Sequence, residues 1–420
     1  MTCKNCKSSS LNKIINIGKQ PISSHFYSSK KHNLRKYSLD LYICKKCDLV
    51  QLKTIPKLSN MYGLNYGYRT SLSPMMINHM REKYLKILPQ LRGKKIKILD
   101  IGCNDGTFLN FFKNNNKTEL YGMDPSADKF KKYYSKKINL YIDYFSKKNL
   151  NKKFNAKIKF DLITSFAMFY DIADPNSFCK DINNLLNKNG KWILELSYFP
   201  TLLKNLTYDQ ICHEHVTYYT ISTFEKIIKK NGLKVLDFRF NNINGGSIEI
   251  TCAKKNSKYK SNFKKIKNQK IIEQSINHES YKRFNSRVDN VRKNINILLE
   301  KNYPNILGYG ASTKGNIVLN HCRINSKKLK FICDANPYKY NRFTPGSNIK
   351  IISKKKMRKL KPKILLVLIW SFRKEVIQQE KKFILNGGKL VFHLPMQHII
   401  DKNNYKDFSN NNFKSFSYNI

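Results

Sequence analysis

The chain has 420 residues, 41% of them hydrophobic, and a formal net charge of +51. That length allows two or three domains, and the apolar content suffices for their cores. No apolar run approaches the roughly 18 residues that a membrane-spanning helix needs, and the start, MTCKNCKSSS, lacks an apolar signal core, so a cytoplasmic protein without membrane contact is expected. The positive charge is mostly lysine spread along the whole chain, which reads as a solvated surface rather than a dedicated nucleic-acid face.

The first feature in chain order is a pair of cysteine knuckles, Cys3-x-x-Cys6 and Cys44-x-x-Cys47. Four thiolates in this arrangement suit tetrahedral zinc; redox pairs or chance spacing are the other readings. With every ligand drawn from protein, such a metal would stabilise a small unit over residues 1–55 rather than catalyse. The other six cysteines show no pairing pattern, as expected of a reducing compartment. Residues 56–80 follow as a linker or lid. Tyr62, Tyr66, Tyr68 and Arg69 precede a helix expected from Ser73; phenols in such a loop can stack and can hydrogen-bond. Tyr66, Tyr68 and Arg69 are the functional candidates there, and Tyr62 reads better as packing between domains.

Residues 81–255 alternate between the two periodicities. Strands are expected at 96–101, 119–123, 161–165, 191–197, 234–239 and 247–253, and helices at 107–114, 176–187 and 221–231, which predicts a doubly wound α/β sheet. The first strand ends in Asp100-Ile101-Gly102-Cys103-Asn104-Asp105-Gly106. Glycines permit a tight turn and close approach to a ligand at the carboxyl end of a strand. Asn104 replaces the middle glycine of a dinucleotide fingerprint, and no Lys-Ser/Thr pair marks a phosphate loop. Asp124 lies where the next strand presents a carboxylate to ribose hydroxyls. Ser165 and Phe166 open the loop SFAMFYDIADP, which also carries Tyr170 and is expected to face ligand. In YDQICHEHVTYYT, residues 208–220, His213, Glu214 and His215 are contiguous. Two imidazoles and a carboxylate can move protons near neutral pH, but a metal site and an incidental histidine loop are also open. A helical linker is expected over 256–300. A second glycine turn, LGYGASTKGN (307–316), then places Lys314 at a helix start where backbone amides can hold phosphate, and a purely structural turn stays open.

The form D-x-G-x-x-x-G from Asp100 to Gly106 resembles the first motif of class I S-adenosylmethionine-dependent methyltransferases. The ordered set of the CxxC pairs, YGYRTS, ILDIGCNDG, CHEH, INGGS (243–247), LGYGASTKGN, DANPYKYNRFTPG, WSFRKE and GGKLVFHLP resembles the sugar C-methyltransferase family over nearly the whole chain. The resemblance implies a class I methyltransferase sheet between a small zinc-binding domain and a C-terminal Rossmann-like domain over 301–420. It implies S-adenosylmethionine held by Asp100, Gly102, Asn104, Gly106, Asp124, Phe145, Ser165 and Phe166, and structural zinc. The implied acceptor is a nucleotide-linked 4-keto-deoxysugar methylated at carbon 3. His215 is the implied base, assisted by Glu214, with Tyr68 positioning the sugar or its oxyanion. Tyr66, Arg69, Tyr170, His213 and Lys314 are the implied substrate contacts. The chain departs from some members at Cys212, where they have tyrosine, and at Tyr170, where they have histidine. An RNA-modifying methyltransferase and a non-catalytic nucleotide-sugar-binding protein are the alternative functions. Oligomeric state is not encoded in any of these motifs.

Overall fold

The computed structural model describes residues 1–62, 68–91, 95–152 and 158–409. Three sheets organise it. Strands β1 (Leu11–Pro21), β2 (Lys36–Cys44) and β3 (Val50–Leu52) form an antiparallel meander beside the cysteine knuckles. Inward-facing Leu39, Leu41, Val50 and Leu52 are fully buried and supply its core.

The central sheet contains β4 (Ile96–Ile101), β5 (Thr118–Met123), β6 (Ile138–Tyr141), β7 (Phe160–Phe166) and β8 (Leu186–Ser197). A short strand, β9 (Thr217–Tyr218), then leaves this sheet, and β10 (Leu233–Asn241) and β11 (Ser247–Lys254) complete it. The spatial order is β10-β11-β8-β7-β4-β5-β6, parallel except for β11, which runs antiparallel to both neighbours. Strand order reverses between β4 and β7, so the ligand crevice lies outside their carboxyl ends. The apolar runs reflect burial on both faces: Ile98, Leu99, Ile163 and Leu194 are all inaccessible to solvent. The helix Pro74–Ile87 packs on one face. Its start is set by Ser73, whose hydroxyl accepts from the Met76 amide, and by Pro74 in the first turn.

β9 pairs with β3, not with the central sheet. The residues just after the His-Glu-His run therefore close the N-terminal sheet and tie the two units together. The region 256–300 folds as the helices Phe263–Glu273 and His278–Asn302. Phe284, Val288, Val291, Ile295 and Leu299 recur at helical spacing and join the C-terminal core. That core is completed by β12 (Ile306–Tyr309), β13 (Phe331–Asp334), β14 (Lys350–Ser353), β15 (Ile364–Val367), β16 (Lys389–Phe392) and β17 (His398–Ile400). Their order is β14-β13-β12-β15-β16-β17, parallel but for the last strand, a Rossmann-like sheet. Among the described residues no helix is long and apolar enough to cross a membrane.

Candidate active site and zinc centre

The glycine loop after β4 is built by backbone that favours glycine. Gly102 and Gly106 have φ of +74° and +75°. A Cβ on Gly102 would come within 3.0 Å of Met168, and one on Gly106 within 2.7 Å of the Tyr134 ring. Asp100, at the strand end, accepts from Thr164 Oγ1 at 2.7 Å, and burial pushes its carboxyl up to about 7. Asp124 closes β5; burial raises its carboxyl, opposed by hydrogen bonds from the Ser126 hydroxyl and amide and the Asn104 amide.

Asp100, Gly102 and Asp124 line a cavity of about 360 Å³ that also takes in Tyr144, Phe145, Phe166, Ala167 and Met168, whereas Gly106 lies off its wall, packed against Tyr134. That volume is within the range of small-molecule sites. Asp100, Gly102, Asn104, Asp124, Phe145 and Phe166 all lie on its wall. Ser165 does not lie on that wall: alternation along β7 turns it to the opposite face, where its hydroxyl accepts from Trp192 Nε1 at 2.8 Å. Asn104 acts as a staple. Its Oδ1 accepts from the Thr70 amide at 2.9 Å and its Nδ2 donates to the Tyr68 carbonyl, so the lid segment is pinned to the glycine loop.

Tyr68 lines the same cavity, whereas Tyr66 lies outside the described residues. Arg69 is turned inward: its Nε donates to Asp105 Oδ2 at 3.3 Å and its guanidinium lies 3.7 Å from the Tyr133 ring centroid. It is thus committed to holding the lid rather than presented to ligand. The cavity floor contains a group with no sequence motif to mark it, Glu195 at the end of β8. Its carboxylate meets His79 Nε2 at 2.9 Å, Lys83 Nζ at 2.7 Å and Asn241 Nδ2 at 2.7 Å. Burial opposes its ionisation, yet Lys83 and His79 hold it down at about 2. The available signal was the polar pair His79 and Lys83, four apart on a helix face otherwise made by Met76, Met80 and Ile87.

The His-Glu-His loop lies beyond the turn that carries Tyr170. The Val216 amide donates to the Tyr170 carbonyl at 2.8 Å, and the His215 and Tyr170 rings lie 4.2 Å apart. Burial, then the charge of Lys314, push the His215 imidazole down to about 3, so it is neutral at neutral pH. His213 is fully buried, edge-on to Tyr37 of the N-terminal unit. Neither its ring nitrogens nor the Glu214 carboxylate oxygens find a hydrogen-bond partner among the described residues.

Lys314 enters from the C-terminal unit and donates to Asn244 Oδ1 at 3.2 Å, while Trp370 Nε1 donates to Asp209 at 2.8 Å. The INGGS, ASTKGN and WSFRKE segments therefore meet at one junction beside the histidine loop. The crevice of the second glycine turn is filled by its own domain. A Cβ on Gly310 would come within 2.7 Å of Ile369, and Asp334 accepts from the Ala311 amide at 2.8 Å.

In the N-terminal unit, the Sγ atoms of Cys3, Cys6, Cys44 and Cys47 all lie within 4.8 Å of one another. Cys3–Cys47 and Cys6–Cys44 are 3.5 and 3.6 Å apart, against about 3.8 Å for the edge of a tetrahedral zinc–thiolate site. The donor set fits zinc with no open position.

Three family models match in succession: "Putative zinc binding domain" over residues 3–62, "Methyltransferase domain" over 76–237 and "C-methyltransferase C-terminal domain" over 242–395. The chain belongs to the C-methyltransferase family. It is 24% identical over 422 aligned positions to C-methyltransferase NovU of Streptomyces niveus, covering 95% of this chain and 96% of that protein. A tRNA U34 carboxymethyltransferase of Campylobacter fetus is 23% identical over 185 positions, covering 40% of this chain and 62% of that protein. A solved plantazolicin methyltransferase, BpumL, with a bound substrate analogue and SAH, covers 43% of this chain and 86% of its own at 14% identity and a TM-score of 0.35.

The enzyme is thus a methyltransferase that uses S-adenosylmethionine. The cavity fits that donor: glycine backbone leaves room at the end of β4, two buried acids face the space, and Phe145 forms part of its wall.

Proposed function

We propose that this C-methyltransferase methylates a nucleotide-linked 4-keto-deoxysugar at carbon 3. The observation that carries the reading is the placement of the His215 imidazole against Tyr170, on the turn that leads from the cofactor cavity, with Lys314 acting on it from the C-terminal unit. Methyl transfer to nitrogen or oxygen can use an existing lone pair. Transfer to carbon first needs a C–H bond broken, and therefore a base. The likeness to C-methyltransferase NovU, which extends over nearly the whole of both chains, supports transfer to carbon.

Bound S-adenosylmethionine supplies an electrophilic methyl group. Asp124 and Phe145 hold its nucleoside end, and the backbone at Gly102 gives room for its amino-acid end. His215 removes the proton next to the sugar ketone, assisted by the adjacent Glu214. Tyr68, on the cavity wall, positions the sugar or its developing oxyanion. Lys314 and His213 orient the acceptor so that its carbon would meet the donor methyl. Incubation with S-adenosylmethionine and a panel of nucleotide-linked keto-sugars, read by mass spectrometry, should show a gain of one methyl. Absence of turnover across that panel, with RNA methylated instead, would reverse the assignment.

A further inference from the structure

Asp171 has no part in the chemistry above, yet it stands between the two halves of the site. It ends the short turn Phe169–Asp171 after β7 and lines the cofactor cavity. The preceding carbonyl, that of Tyr170, accepts from the Val216 amide, so this turn is fastened to the histidine loop. Asp171 Oδ1 is buried and has no hydrogen-bond partner among the described residues. The charged and titratable groups acting on it are the Tyr62 phenol, which lies against the carboxyl, and Glu214; no cation is among them. Cys212 and Tyr218 of the histidine loop lie within its electrostatic reach. A second carboxyl acting on Asp171 away from water opposes its ionisation. Burial, then Glu214 against the opposing Tyr62 bond, hold the Asp171 acid well above the usual carboxylate range.

We propose that Asp171 is a catalytic hydrogen-bond donor whose carboxylic acid O–H binds the ketone oxygen of the acceptor and stabilises the charge that gathers there. The idea rests on the keto-acceptor reading. When His215 takes the proton, the C–H electron pair becomes the enolate double bond and the carbonyl π pair moves to oxygen. Asp171 keeps its proton throughout. As the carbon attacks the methyl, the methyl–sulfur bond of the donor breaks with its electron pair left on the thioether sulfur, the carbonyl re-forms, and His215 returns its proton to solvent. A neutral acid is suited to this task because it adds no negative charge beside an oxyanion.

The test uses the full-length zinc protein. Deuterium uptake by the keto-sugar in D2O without methyl donor reads enolisation, and methyl transfer is measured separately. D171A should slow both by about 100-fold or more, with S-adenosylmethionine affinity and zinc content unchanged. D171N, whose amide can donate, should stay within about tenfold of wild type. Wild-type rates in D171A, or D171N as slow as D171A while both bind donor and zinc normally, overturn the proposal. Wild-type protein that neither exchanges deuterium nor transfers methyl with any keto-sugar removes the keto-acceptor reading instead. The infrared difference spectrum between wild type and D171N at neutral pH separates these failures. Loss of a carboxylic-acid band supports a protonated Asp171, and loss of a carboxylate band overturns it whatever the acceptor.

Discussion

Replacing Glu195 with glutamine removes the one charge that joins the helix Pro74–Ile87 to the floor of the cofactor cavity. The native carboxylate is 2% exposed and sits at about 2 rather than the ordinary 4.5. That displacement corresponds to about 3 kcal/mol in favour of the ionised form. E195Q would leave Lys83, 3% exposed, with Glu249 as its remaining carboxylate contact among the described residues, 2.5 Å away. Removing one member of a buried ion pair costs about 3–5 kcal/mol. For a unit of roughly 150–250 residues this lowers the midpoint by on the order of 10 °C. Calorimetry at neutral pH, with and without S-adenosylmethionine, measures it. The folded carboxyl lies below its unfolded value, so the stabilisation is complete above about pH 4.5 and is lost as pH falls towards about 2. The gap between wild type and E195Q should therefore close in acid. A fall of under about 2 °C at neutral pH, or a gap that widens on acidification, refutes the account of this network.

His215→Ala should abolish methyl transfer while donor affinity, read by calorimetry, stays near wild type; full activity would remove the base assignment. Chelation of zinc, or Cys44→Ser, should unfold the N-terminal unit first, and metal analysis of native protein should give one zinc per chain. Gly106→Ala places a Cβ against Tyr134 at positive φ and should weaken donor binding about tenfold, a cost of about 1.4 kcal/mol, detectable by titration. Trp370→Phe removes the bond to the buried Asp209 carboxylate and should destabilise the junction by about 1–3 kcal/mol, seen as earlier proteolytic separation of the C-terminal unit.

Local pattern decided much of this molecule. Ile96–Ile101 and Ser247–Lys254 are strands at nearly the residues their apolar spacing predicts, because strands buried between layers leave little choice. The cysteine knuckles needed only spacing. β9 was not legible: two residues carry too little periodicity, and their pairing depends on β3, more than 160 positions away in sequence. Nor was the fate of Arg69, since a cation in a tyrosine-rich loop reads as a ligand until Asp105 is found to hold it. Ser165 and Glu195 show the same limit in opposite directions. One looked ligand-facing and bonds Trp192; the other closes a strand without any motif to give it a role, and lines the cavity.

The sequence by itself determined the donor loop, the metal ligands and the order of the three units, because each rests on short-range spacing of chemically distinctive residues. Tertiary structure alone decided which polar groups are spent on one another and which are left for a substrate. Asp334 is taken by its own loop, whereas Glu214 and Asp171 keep oxygens without partners among the described residues. That division turns on burial and on charges brought together from distant segments, which no local pattern records.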